Sequence, residues 1–142
     1  MKSKKQVKPK TSAEELTLAS PQHPALGIDI DGTIDEAPEF FSILTTMWKG
    51  KIIIISYRDN LAKAQEDVQS HGVRFDEIVL VNSFKQKAEV IRERNIKVFF
   101  DDMDEVIMHI PGDVKVFKVR NDGNFCNVSG RWFYSEKTGE LV

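Results

Sequence analysis

The chain has 142 residues, 41% of them hydrophobic and 30% charged, with a net charge of −2 and one cysteine. That length holds one compact domain with a real core and excludes two of ordinary size, while the balanced composition argues against both a disordered chain and a polyanion-binding protein. The lone Cys126 excludes an internal disulfide framework and fits a reducing, cytoplasmic setting, and the longest apolar run, Ile52 to Ile55, is far too short for a membrane span.

Residues 1–24 open with a lysine-rich stretch, turn polar and end in Ser-Pro-Gln-His-Pro, a composition that cannot bury enough apolar surface to fold alone. No apolar segment follows the lysines, so a solvated tail is expected there and not a secretory signal. The domain is expected to run over residues 25–120, beginning with a strand in Ala-Leu-Gly-Ile-Asp-Ile that ends in Asp29 and Asp31. Residues two apart on a strand share a side, which would aim both carboxylates at one point just before the Gly32 turn. Two buried carboxylates need a compensating cation or proton, so this is either a metal site or a solvated turn.

A helix is expected over Pro-Glu-Phe-Phe-Ser-Ile-Leu-Thr-Thr-Met-Trp-Lys, with Pro38 near its start and Gly50 at its end. Lys51 to Ser56 reads as a β-branched strand buried on both faces. A polar helix follows, capped by Asp59 or Asn60 and closed by Gly72. Then come a strand (Glu77 to Asn82), a helix (Lys85 to Asn95), a strand (Lys97 to Phe100), a short helix before Pro111 and a strand (Val114 to Val119). This alternation predicts a three-layer α/β/α, Rossmann-like fold with a parallel sheet of about five strands. Residues 121–142 lose the rhythm and read as an extension of turns and short strands, whose Trp132, Phe133 and Tyr134 pack on the domain edge or on a partner subunit.

Ligands of open parallel sheets bind beyond the carboxyl ends of the strands. Those ends carry Asp29, Asp31 and Thr33 on the first strand, Ser56, Arg58 and Asp59 on the second, and Asp101, Asp102, Asp104 and Glu105 on the fourth, with Lys85 and Lys87 at the start of the preceding helix. Clustered carboxylates fit a hard divalent cation, Mg²⁺ where phosphate is also bound, with the lysine and the hydroxyl serving the phosphate.

The stretch Gly-Ile-Asp-Ile-Asp-Gly-Thr resembles the first motif of the haloacid dehalogenase-like superfamily, with Ser56, Lys87 and the Asp101-Asp102 pair following in the order of its other three motifs. The resemblance spans residues 26–120. It implies a Mg²⁺-dependent phosphatase in which Asp29 forms an aspartyl phosphate, Asp31 is general acid and base, and Ser56 and Lys87 hold the phosphoryl oxygens. Asp29, the Asp31 carbonyl, Asp102 and Asp101 would hold the metal, and Arg58 would contact substrate or form a surface salt bridge. Lys85 remains the alternative to Lys87, and Asp104 to the other acids. The gaps between motifs leave no room for a cap domain. The resemblance is thus to capless members, with a small phosphorylated molecule, a nucleotide or a nucleic-acid end as substrate, no membrane partner, and another subunit as a lid in a homo-oligomer. A non-catalytic module of the same family, binding a phosphorylated partner, is the alternative.

Overall fold

The computed structural model describes residues 23–133. Five parallel strands, β1 (Ala25–Ile28), β2 (Ile52–Tyr57), β3 (Glu77–Val81), β4 (Ile96–Asp101) and β5 (Lys115–Lys118), form one sheet in the order β3-β2-β1-β4-β5. The connections contain α1 (Pro38–Met47), α2 (Leu61–Ser70), α3 (Phe84–Glu93) and the single-turn α4 (Asp104–Ile107). A small antiparallel pair, β6 (Phe125–Cys126) with β7 (Arg131–Trp132), follows. Of the tail expected over residues 1–24 only His23 and Pro24 fall among the described residues, and Tyr134 lies outside them.

The three layers follow from side-chain alternation. Along β2, Ile52 and Ile54 face one apolar cluster while Ile53 and Ile55 face the other, which is why a continuous isoleucine run suits this central strand. Burying one such side chain is worth about 1.5–3 kcal/mol, so β2 pins both layers to the sheet. The chain steps from β1 to β2 to β3 in one direction and from β4 to β5 in the other. With right-handed crossovers α1 and α2 cover one face, where Phe41, Ala64 and Val68 pack, and α3 and α4 cover the opposite face with Val90, Ile91 and Val106. Gly27 lets the second layer close: a Cβ there would lie 2.8 Å from the Phe99 ring.

Local signals set the helix ends. Pro38 occupies the first turn of α1, the Asn60 side chain accepts from the Lys63 amide, and the Ser83 hydroxyl accepts from the Gln86 amide. The first strand is shorter than its sequence suggests. It ends at Ile28, and Ile30–Ile34 forms a tight helical turn in which Gly32 has φ +79°. Among the described residues no helix is long and apolar enough to cross a membrane.

Candidate cation and phosphate site

The direction of winding reverses between β1 and β4, the place where open α/β sheets leave a crevice at their carboxyl edge. Ile28 pairs with Phe100, so the next residues, Asp29 and Asp101, lie side by side, and the Asp29 amide donates to the Phe100 carbonyl at 3.1 Å. Alternation puts both carboxylates on the face of Gly27 and Phe99, the face that α3 covers. Lys87, on the buried side of α3, reaches between them, with Nζ donating to Asp29 Oδ1 and to Asp101 Oδ2 at 2.8 Å each. Lys85 is exposed, and of the two candidate lysines it is Lys87 that lies between the carboxylates.

The remaining oxygens are held unequally. Asp29 Oδ2 accepts from the Thr33 hydroxyl at 3.2 Å, and Asp101 Oδ1 accepts from the amides of Asp102 and Met103. Asp102 Oδ2 accepts from Asn121 Nδ2 at 3.0 Å, but its Oδ1 is buried without a hydrogen-bond partner. Asp29, Asp101 and Asp102 each present a carboxylate oxygen within 4.8 Å of the other two. With all three ionised and Lys87 protonated the cluster carries two uncompensated negative charges. Burial, then the Asp101 charge, pushes the Asp29 carboxyl up to about 8 against the pull of Lys87. Burial likewise raises Asp102, opposed by the Asn121 hydrogen bond. Burial pulls the Lys87 ammonium down, but Asp29 and Asp101 outweigh it and the net shift is upward.

Among the described residues Ser56, fully buried near the end of β2, is the second side chain with a buried, unpartnered atom, its Oγ. Ile28 pairs with Ile54, so Ser56 lies one strand over from the residue following Asp29.

The Asp31 carboxylate does not join the cluster. Because the strand has already ended, its carboxylate turns outward into a bidentate pair with Arg58, Nε at 2.9 Å and Nη2 at 2.7 Å, while Arg58 Nη1 reaches Asp67 at 2.8 Å. Arg58 is thus engaged in a salt-bridge network, held protonated chiefly by its hydrogen bond to Asp31. Asp104 is paired with Lys118 at 2.8 Å and does not belong to the cluster either.

Two residues that the sequence reading did not single out complete the site. Asn121 Nδ2 bridges the Gly32 carbonyl and Asp102, and Asn124 Nδ2 donates to the carbonyls of Asp102 and Val119. Their position just past the carboxyl end of β5 is the available signal. The turn at Gly32 is wedged against this group, since a Cβ there would collide with the Asp102 carboxylate.

No family model matches the chain, and no curated protein matches it. A solved structure described as a universal stress protein in complex with cAMP is similar, with 12% identity, a TM-score of 0.47, and coverage of 70% of this chain and 100% of that chain. The haloacid dehalogenase-like membership implied by the first motif is therefore corrected, and with it the hydrolase class and the phosphatase activity through an aspartyl phosphate. The expected acid-base residue, Asp31, is bound up with Arg58, and the expected nucleophile, Asp29, is buried against Lys87 with its proton affinity raised.

Proposed function

We propose that the carboxyl edge of the sheet binds a divalent cation, Mg²⁺ by its oxygen donors, and through it the phosphate group of a small ligand such as a nucleotide, as a binding module. The observation that carries this reading is the pair of buried, unpartnered oxygens, Asp102 Oδ1 and Ser56 Oγ, at the edge that also holds Asp29, Asp101 and Lys87. An unsatisfied buried polar atom typically costs about 1–3 kcal/mol, and a ligand that supplies a cation and phosphate oxygens satisfies both kinds. The donor set fits the ion: three carboxylates beside one ammonium lack two positive charges, and oxygen-only ligation suits Mg²⁺.

Asp29, Asp101 and Asp102 would hold the cation, with Asn121 keeping the Asp102 carboxylate aimed. The cation would supply the positive charge without which a phosphate is repelled by these acids. Lys87 and the Ser56 hydroxyl are the groups suited to donate to phosphate oxygens.

Titration calorimetry with Mg²⁺ or Mn²⁺, followed by AMP, ATP and cAMP with and without the cation, tests the reading. Cation binding that Asp102→Asn weakens at least tenfold, and nucleotide binding that requires the cation, are expected. Absence of cation binding at millimolar concentrations overturns the site, and steady release of phosphate from a bound nucleotide overturns the binding-only assignment.

A further inference from the structure

Helix α1 is apolar on two sides. Its inner side buries Phe41 and packs Leu44 and Trp48 on the sheet, yet Phe40, Ile43 and Met47 stand 52%, 63% and 73% exposed on the outer side. These three positions have the i, i+3, i+7 spacing of a helical seam. The contrast with the other long helices is one of sequence: α1 has a single charged residue, Glu39, whereas α2 carries Lys63, Glu66 and Asp67 and α3 carries five charged residues.

The apolar seam continues onto the sheet. Both α3 and α4 lie on the opposite face, so among the described residues α1 is the last cover over this side of β4 and β5. Phe40 lies 6.1 Å from Phe100, and Phe100 stacks on Phe117 at 5.0 Å. Phe117, on the edge strand β5, is 52% exposed. A full aromatic side chain carries ~150–250 Å², so the four exposed side chains leave on the order of 400 Å² of contiguous apolar surface. A patch of that size matches the largest one on a typical soluble protein, which is often functional.

We infer that this face, α1 together with the Phe100–Phe117 margin, is where a second copy of the chain docks to form a two-fold dimer. Doubling the patch gives roughly 800 Å² of apolar burial, and the polar rim of Glu39, Ser42, Thr46 and Lys49 brings the total near the ~1,200 Å² at which specific interfaces begin. A seam of three residues centred on Ile43 is self-complementary when two copies of α1 run antiparallel, because Phe40 of each then meets Met47 of the other, a favourable sulfur-aromatic contact. The same arrangement sets Glu39 of one copy near Lys49 of the other, so the single acid of α1 and the lysine beyond its end have opposite-charge neighbours.

Sedimentation velocity on the full chain at about 5–100 µM tests this, with Ile43→Glu and Met47→Lys as variants and thermal unfolding by circular dichroism as the folding control. Wild type is expected to sediment at twice the 16.2 kDa chain mass, and each variant at the single mass with wild-type ellipticity. A wild type that remains monomeric over the whole range overturns the inference, as does a dimer that both variants leave intact.

Discussion

Replacing Asp29 by asparagine should make the metal-free protein more stable, by about 1.5 kcal/mol at pH 5 and by a much larger margin at pH 8. The carboxyl is held at about 8 in the fold against the ordinary 3.8 of a solvated aspartate, so between those limits the folded chain keeps a proton that the unfolded chain releases. A raised carboxyl favours the fold below the unfolded value and loses that contribution as pH rises through the folded one. With one extra proton on the folded side the slope is about 1.4 kcal/mol lost per pH unit, which amounts to about 4 kcal/mol between pH 5 and 8. Asparagine keeps the shape and the Thr33 contact but has no charge to desolvate, so its curve lacks this slope. The exposed ion pairs that lower Asp67, Glu77 and Asp113 act in the opposite direction and only at more acid pH, outside the window. Thermal unfolding in a chelator at pH 5, 6.5 and 8 reads the difference, expected as a gap of roughly 10–15 °C opening in favour of the variant toward pH 8. Parallel curves for the two proteins would refute the assignment of a destabilised, buried Asp29.

Adding Mg²⁺ at pH 8 should raise the melting temperature of the wild type and leave Asp29→Asn close to its chelated value, because only a ligand that binds the fold shifts the midpoint; equal shifts would place the cation elsewhere. Lys87→Met should destabilise the metal-free protein by about 3–5 kcal/mol at pH 8, since it leaves two carboxylates buried without their shared ammonium, and Asp29→Asn in the same chain should recover part of the loss, as read by denaturant unfolding. Gly32→Ala forces a side chain into a positive-φ position against Asp102 and should weaken cation affinity at least tenfold in calorimetry. Ser56→Ala should be neutral or stabilising without ligand, because it removes an unpaired buried hydroxyl, while weakening cation-dependent nucleotide binding about five- to tenfold.

The architecture was legible because this chain uses strong local signals. The isoleucine run of β2, Pro38, Asn60 and Ser83 each mark an element, and the spacing of strands and helices forces a parallel sheet. Asp29, Asp101 and Lys87 were also within reach, since the carboxyl ends of strands are where such a sheet gathers its polar groups. Asp31 was misplaced for a specific reason: alternation holds only while the strand lasts, and the strand stops before it. Asn121 and Asn124 lie in a segment with no periodicity, and only the fold brings them 19 and 22 residues back to Asp102. Function was least legible, because a seven-residue motif can describe a turn and an acid pair without fixing what the acids do.

Lys87 meets Asp29 across 58 positions of chain, and β1, the middle strand of the sheet, gains its second neighbour only from β4. A nascent chain can therefore assemble β1, β2 and β3 under α1 and α2 as a local unit, but the acid at the end of β1 stays in water until residues as late as Asp101 have emerged. Closing that long loop is the slow, entropically opposed part of assembly. The contact that creates the charged crevice is thus also the one that joins the two halves of the sheet, so the acid cluster comes into being in the same step as the β1–β4 pairing.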